Sequence, residues 1–259
     1  MIFTRQLWYT LIKVIMMDEI LRPDEHISPA VPKRKKWKGE QGRTPFDGLR
    51  PWSAITHGAG VALGLLGTVL LLVRAAAVGG PLRVTVFAIY CASMIALYLA
   101  STLYHCLRAS AAGRMNLRRI DHASIYLLIA GSYTPICLLS LKGALGWGLF
   151  GIIWVLAAAG IVLSVAWIMA PRWLTAGIYL SMGWLAVFAV YPLSQVLSAK
   201  GMALLLLGGI LYTIGGVLYG LKWPGRNNPR FGCHEIFHLF ILAGSIAHYL
   251  LMYLVVVYS

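Results

Sequence analysis

Two histidines four residues apart, His234 and His238, lie at the start of the last apolar segment of the chain. On an α-helix, residues four apart share a face, so the two imidazoles would project side by side. Two imidazole nitrogens in this arrangement can bind one divalent metal ion, for which zinc is the usual choice. The pair therefore predicts part of a metal site.

Three further polar residues lie at the ends of other apolar segments. Ser101 and His105 are one helical turn apart at the end of the second segment, and Asp121 begins the third. In an up-and-down bundle these ends share one membrane face with the start of the seventh segment. Three neutral imidazoles leave one position of a tetrahedral zinc ion open, and water bound there loses a proton near neutral pH. The pattern predicts a hydrolytic zinc site in which His105, His234 and His238 bind the metal. Asp121 would transfer the proton, and Ser101 would hydrogen-bond a ligand or polarise a substrate carbonyl.

The composition is that of a membrane protein. Of the 259 residues, 59% are hydrophobic and only 12% are charged, and the mean hydropathy is +0.77. Soluble domains carry about 25% charged residues. Six of the eight acidic residues precede residue 50, which leaves Asp121 and Glu235 alone in the apolar part of the chain. Ionisable side chains within a membrane are costly and usually functional, so both acids are candidate site residues.

Seven apolar stretches follow residue 50, each close to the roughly 20 residues that cross a bilayer. Because the connections are short, they predict an all-α integral membrane protein with an up-and-down bundle of seven transmembrane helices. Pro135 and Pro192 predict kinks in the third and fifth helices, and the pair Gly60 and Gly64 predicts a close helix approach. The stretches run approximately over residues 55–73, 84–106, 121–140, 146–169, 174–196, 203–221 and 235–257.

The basic residues predict the orientation of this bundle. With a cytoplasmic N-terminus, 18 of the 22 Lys and Arg residues fall in cytoplasmic segments and four in outer loops. This bias predicts a multi-pass protein of the cell (inner) membrane with its N-terminus cytoplasmic and its C-terminus outside. G-protein-coupled receptors have the opposite orientation, and the seventh segment has no lysine to form a retinal Schiff base. The same bias explains the net charge of +14 without nucleic acid as a partner.

Residues 1–50 differ from the rest of the chain. Residues 1–17 are apolar but interrupted by Arg5 and Lys13, which predicts an amphipathic helix on the membrane surface. Residues 22–50 are basic and contain several prolines, which predicts a flexible linker near anionic lipid headgroups. We therefore divide the chain into this N-terminal segment and a seven-helix domain over residues 51–259. The four cysteines show no paired spacing and are expected to be free thiols.

Glu235 allows a different interpretation of the histidine pair. Together with the flanking histidines it matches the H-E-x-x-H pattern of zinc proteases, in which the glutamate is the general base. No acid follows Glu235 to serve as a third ligand, and Ile241 and Gly244 occupy the Gly and His positions of the longer pattern. The sequence therefore favours a helix N-terminal acid, stabilised by the helix dipole, over a protease base.

Each histidine can also be interpreted without a role in metal binding or catalysis. Taken alone, the pair in the seventh segment could equally contact lipid headgroups, but His105 and Asp121 at the same predicted depth favour metal binding. We expect His57 and His122 to pack at the membrane interface. His248 lies deeper in the seventh segment, and we expect it to face the bundle interior with a hydrogen-bonded ring.

Several of these motifs together resemble the bacterial hemolysin III family. They are Ser-Thr-Leu-Tyr-His at 101–105, Asp-His-Ala-Ser-Ile-Tyr at 121–126, Gly-Ser-Tyr-Thr-Pro at 131–135 and His-Glu-Ile-Phe-His at 234–238. Residues 51–58 resemble the start of that family's first helix. The family belongs with the progestin and adipoQ receptors, which include the adiponectin receptors, and is distantly related to the alkaline ceramidases. The resemblance covers residue 50 to the end of the chain.

The resemblance implies a seven-helix protein with a cytoplasmic N-terminus and a zinc ion near the cytoplasmic side. His105, His234 and His238 would be the ligands, Asp121 would hold the water on the zinc, and Ser101 would support the site. The relation to ceramidases implies hydrolysis of a lipid amide. The name of the family implies a different activity, cytolysis by pore formation.

Two functions of different classes are therefore open. The first is a zinc-dependent intramembrane hydrolase of a lipid amide or ester, with a membrane lipid as substrate. The second is a pore-forming cytolysin or a receptor-like membrane protein in which zinc joins helices two and seven. A pore is lined by polar residues along its whole length, whereas the polar residues of this sequence gather at one end of the helices. The sequence favours the hydrolase.

Overall fold

Seven long apolar helices make up the described part of the protein. The structure is a computed structural model that describes residues 49–141, 143–225, 228 and 231–259. Within these residues the protein is all-helical, and the seven helices are long and apolar enough to cross a membrane. We name them span 1 to span 7. Their bounds are Pro51–Val78, Pro81–Cys106, Ala111–Leu141, Gly143–Ala166, Arg172–Val196, Ala199–Leu221 and Cys233–Tyr258.

The outer surface of the bundle is apolar, as lipid contact requires. Large side chains such as Leu66, Val155 and Phe188 are 60%, 69% and 78% exposed. Exposed apolar surface on this scale marks a membrane-facing surface. The predicted all-α, multi-pass membrane fold is thereby confirmed, and the described residues contain four cysteines that are all free. The predictions for the N-terminal segment lie outside the described residues, apart from Leu49 and Arg50.

Spans 1 to 4 pack in chain order, span 5 packs against spans 3 and 6, and span 7 closes the bundle against spans 6 and 1. Spans 2 and 3, which carry the predicted polar residues, are the most buried. A core of apolar side chains fills the half of the bundle away from the histidines, where the end of span 1 meets the start of span 2 and the end of span 7. Its members include Leu71, Phe87, Tyr90, Leu251 and Met252.

Span 3 begins earlier than the sequence predicts. Its helix starts at Ala111, so the prediction that Asp121 begins this segment is wrong, and Asp121 lies in the third helical turn. The preceding residues looked too polar for a membrane helix because they are rich in arginine. Arg114, however, is fully buried and donates hydrogen bonds to the backbone carbonyls of Tyr104 and Leu107, the latter at 2.9 Å. These bonds tie the start of span 3 to the end of span 2.

The helical hydrogen-bonding pattern changes beside Pro135 and Pro192, the two prolines at which the sequence predicts kinks. Span 3 is α-helical over Ala111–Pro135 and continues as a π-helix over Ile136–Leu141. Span 5 consists of α-helices over Arg172–Gly183 and Val190–Val196 separated by a 3-10 segment, Trp184–Ala189. Proline has no backbone N–H, so it cannot continue the α-helical ladder.

Tyr133 of span 3 binds the interrupted part of span 5. Its hydroxyl accepts a hydrogen bond from the backbone N–H of Ala186 at 2.7 Å and donates one to the carbonyl of Gly183 at 2.7 Å. Backbone groups freed inside a membrane must be satisfied within the protein. Span 3 therefore supplies hydrogen-bonding partners for backbone groups of span 5 where its α-helix is interrupted.

We predict that Gly60→Ala destabilises the bundle. An added Cβ would lie 2.5 Å from the ring of Tyr98, which is 1% exposed and hydrogen-bonded to Ser245. Overpacking of this kind costs about 1–3 kcal/mol. The control is Gly209→Ala in span 6, where a Cβ meets no atom within 4 Å. Thermal denaturation in detergent should show a lower melting temperature for Gly60→Ala only. Equal melting temperatures would contradict the close approach of spans 1 and 2.

Candidate metal centre

Three imidazoles from two spans meet at one end of the bundle. His105 lies in the last turn of span 2, and His234 and His238 lie in the first two turns of span 7. One ring nitrogen of each lies within 4.8 Å of the other two. The Nε2 atoms of His105 and His234 are 3.2 Å apart. Two nitrogens bound to one tetrahedral zinc at about 2.0–2.1 Å are about 3.3 Å apart, so this spacing fits a shared metal ion.

Asp121 and Ser101 lie beside this cluster and not in it. The Asp121 and Ser101 side chains are both buried and interact with each other. Both residues line the same cavity as His234 and His238. Among the described residues, the group placed to hold a metal consists of the three histidines without Asp121. The carboxylate therefore shares the cavity with the candidate ligands but is not one of them.

Glu235 is buried in a different direction from its two histidine neighbours. Its side chain is 1% exposed and accepts hydrogen bonds from Arg50 Nη1 at 2.9 Å, from Ser53 Oγ at 3.1 Å and from the backbone N–H of Gly232 at 2.8 Å. The last bond is the glutamate half of a capping box at the start of span 7, where the N-cap residue Gly232 has no side chain to form the other half. Both carboxylate oxygens are engaged by the protein, which supports the helix N-terminal role and not that of a protease base.

Arg50 connects the two spans that carry the histidines. Its backbone N–H donates to the carbonyl of His105 at 3.1 Å, while its guanidinium pairs with Glu235, the residue after His234. Nothing in the spacing of the sequence singles out Arg50 from the other basic residues that precede span 1. The available signal was Glu235 itself, because a buried carboxylate in an apolar segment requires a cation.

His57 belongs to the site, and the prediction that it packs at the interface is wrong. It is 3% exposed, and its ring stacks on that of His238 with centroids 3.6 Å apart and an interplanar angle of 13°. On its other side, Tyr98 meets the ring edge-on at 5.1 Å. His57 therefore fixes the orientation of a candidate ligand. His122 lines the cavity, and its carbonyl accepts a hydrogen bond from Tyr179 at 3.2 Å.

Comparisons with known proteins identify the family of this chain. The family described as Haemolysin-III related matches residues 51–249, which span the bundle from the first residue of span 1 into span 7. The chain belongs to this family. The family predicted from the sequence motifs is thereby confirmed.

Curated relatives extend the haemolysin III assignment. Hemolysin-3 of Bacillus cereus is 39% identical over 193 residues, which cover 74% of this chain and 85% of that protein. The Hemolysin-3 homolog of Bacillus subtilis is 44% identical over 195 residues, 75% of this chain and 88% of that protein. The adiponectin receptor protein of Drosophila melanogaster is 28% identical over 159 residues, 51% of this chain and 33% of that protein. The wider relationship to adiponectin receptor-like proteins is therefore also supported.

We predict that Arg50→Met lowers the melting temperature and the affinity for added zinc more than Glu235→Gln does. Removing the arginine leaves a buried carboxylate without its counter-ion, whereas the amide variant removes the charge and keeps an acceptor. Loss of a group that positions metal ligands costs about 10-fold or more in metal affinity. Chelator competition and thermal denaturation measure the two effects. Arg108→Met, at an exposed arginine of the same bundle end, is the control. Zinc affinity unchanged in Arg50→Met would show that Arg50 does not position the histidines.

Proposed function

We propose that the protein is a zinc-dependent intramembrane hydrolase that cleaves a lipid amide or ester at the cytoplasmic side of the cell membrane. The main support for this proposal is the lining of one cavity. A single cavity of about 190 Å³ is lined by the candidate ligands His234 and His238, by Asp121 and Ser101, and by apolar side chains of spans 3, 5 and 6. Its polar end suits the linkage of a lipid, and its apolar part suits a hydrocarbon chain.

The donor set supports zinc as the ion. Three imidazole nitrogens with one open position form the usual ligand set of a catalytic zinc site. The 3.2 Å between the Nε2 atoms of His105 and His234 agrees with two ligands of one tetrahedral ion. Zinc in this position would act as a Lewis acid and lower the pKa of a water molecule to about 7.

The protein's own residues would supply the remaining functions. Asp121 would accept a proton at its carboxylate and return it to the leaving amine or alcohol. Ser101 would donate a hydrogen bond to this carboxylate and so orient it. The apolar walls would exclude bulk water, which strengthens electrostatic interactions in the site.

Span 5 supports lateral access of a lipid to the cavity. Its 3-10 segment, Trp184–Ala189, contributes Trp184 and Val187 to the cavity lining, and the same two residues are 43% and 53% exposed. The cavity lining at this level therefore includes side chains that also belong to the exposed surface of the bundle. A lipid of the inner leaflet would therefore enter beside span 5.

Cytolysis is the second candidate function, because two of the relatives are named Hemolysin-3 or its homolog. In that case a metal would join spans 2 and 7 without taking part in a reaction. Leakage of purified proteoliposomes that persists when His105, His234 and His238 are replaced would favour this function over hydrolysis.

We predict that Asp121→Asn reduces hydrolysis of a lipid amide or ester by about 100-fold or more while zinc remains bound. A general acid–base group contributes about 10²–10⁴-fold to such a reaction. His238→Ala, in contrast, should lose zinc and activity together. A screen of lipid amides and esters with the purified protein, combined with metal analysis of each variant, measures both quantities. Full activity of Asp121→Asn on an identified lipid would remove Asp121 from the proton-transfer role.

We predict that Cys106 reacts with a membrane-impermeant maleimide from the cytoplasmic side only. This thiol is exposed and follows His105, whereas Cys91, Cys137 and Cys233 are buried. Intact cells should leave Cys106 unlabelled, and inverted vesicles should label it. Lys200→Cys, at an exposed position at the opposite end of the bundle, should show the reverse pattern when Cys106 is replaced by serine. Labelling of Cys106 in intact cells would invert the proposed orientation.

A further inference from the structure

A second polar position lies in the cavity, well away from the histidine cluster. His248 is ten residues beyond His238 on span 7, which corresponds to about 15 Å along the helix axis. It lines the same cavity, as does Ile241 between the two levels. His234, Ile241 and His248 recur every seven residues, so they form one stripe of span 7 that faces the cavity.

The surroundings of His248 are shaped to receive an imidazole. A Cβ on Gly208 of span 6 would lie 2.2 Å from its ring, so only glycine at that position leaves the ring enough room. Tyr212 meets the ring edge-on, with centroids 5.2 Å apart. The Nε2 atom of His248 lies 3.4 Å from the carbonyl oxygen of Leu205, at the outer limit of a hydrogen bond. If the ring at position 248 served only to pack span 7 against span 6, an apolar ring would do so without burying ring nitrogens.

Tyr212 adds a hydroxyl to this position. Its oxygen is 2.9 Å from the Oγ of Ser245, which also accepts a hydrogen bond from Tyr98 at 2.7 Å. When the Ser245 hydroxyl donates to Tyr212, the Tyr212 O–H is free to donate into the cavity that it lines. Other cavity hydroxyls differ, because Ser132 and Thr213 donate to carbonyls of their own helices.

We propose that His248 and Tyr212 form a recognition site for a hydrogen-bonding oxygen carried part-way along the hydrocarbon chain of the bound lipid. The proposal rests on the proposed function, in that a lipid occupies the cavity with its polar linkage at the histidine cluster. The Tyr212 hydroxyl donates to the oxygen of the ligand. With the Nε2–H of His248 directed at the Leu205 carbonyl, the Nδ1 of the neutral ring accepts from a hydroxyl group of the ligand. An ionisable side chain at this depth is otherwise costly, which is the usual mark of a binding role. The substrate class is thus a lipid with a hydroxyl or carbonyl oxygen near the middle of its chain.

Binding of two fatty acids to the purified full-length protein tests this assignment. Stearic acid and a hydroxystearic acid with its hydroxyl near the middle of the chain compete with a fluorescent fatty acid in detergent, with zinc present. We expect the hydroxylated acid to bind about 3- to 10-fold more tightly, the factor that one net hydrogen bond supplies. An isomer with the hydroxyl beside the carboxylate should show no such gain.

Variants locate the source of this preference. His248→Phe and Tyr212→Phe should each remove the preference, which is measured as the ratio of the affinities of one variant for the two acids. Tyr249→Phe is the matched control, because Tyr249 donates to the carbonyl of Gly67 at 2.9 Å on another face of span 7. It should keep the preference. Thermal denaturation of each variant shows whether the bundle is intact.

The possible failures of this test are distinct. Equal binding of the two acids by the unaltered protein would overturn the recognition site and leave the hydrolase proposal standing. Binding of neither acid would overturn the recognition site together with the lipid-filled cavity. A preference retained in both His248→Phe and Tyr212→Phe would overturn the assignment to these two residues. A preference that depends on both, in a protein without hydrolytic activity, would support the recognition site and contradict the hydrolase.

Discussion

A carboxylate buried in an apolar bundle must be paired, and the pairing of Glu235 determines how the metal centre is held together. Arg50, Ser53 and the N–H of Gly232 bind this one side chain. Because Arg50 also binds the backbone of His105, the start of span 1 connects the end of span 2 to the start of span 7. The three imidazoles lie across the junction that these bonds maintain. The geometry of the metal centre therefore depends on a charge pair that takes no part in its chemistry.

The two ends of the bundle are stabilised by different interactions. The end that holds Leu71, Phe87 and Met252 is a packed apolar core. The histidine end holds buried polar groups instead, among them Arg114 bound to carbonyls of the chain after span 2. Apolar contacts gain little inside a lipid environment, because lipid chains are as apolar as the side chains, whereas an unsatisfied polar group costs much. The buried polar groups at the histidine end therefore add specificity to the assembly, and the same end holds the candidate metal ligands.

Patterns within one helix made the fold and the core of the site predictable. Seven apolar stretches and the four-residue spacing of His234 and His238 are properties of single segments, and both are confirmed in the structure. Contacts between helices were not accessible in this way. The stacking of His57 on His238 joins spans 1 and 7, and the burial of Arg114 depends on carbonyls of another segment. A hydropathy scale treats every arginine as polar, including Arg114, whose hydrogen bonds are satisfied inside the protein. For this reason hydropathy alone predicts a start of span 3 that lies too far toward the C-terminus.

The order of polar and apolar groups along span 7 argues for a lipid-binding cavity and against an ion pathway. Ile241 lines the cavity between His238 and His248 on span 7, and apolar side chains of spans 3, 5 and 6 line the same cavity. An ion that passes them loses water of hydration and gains no replacement ligands, which is the basis of a hydrophobic barrier in channels. A hydrocarbon chain, in contrast, has no bound water to lose, and it makes apolar contacts with the walls of this part of the cavity. The same residues that oppose conduction are therefore compatible with the proposed lipid, whose polar linkage would lie at the candidate metal ligands.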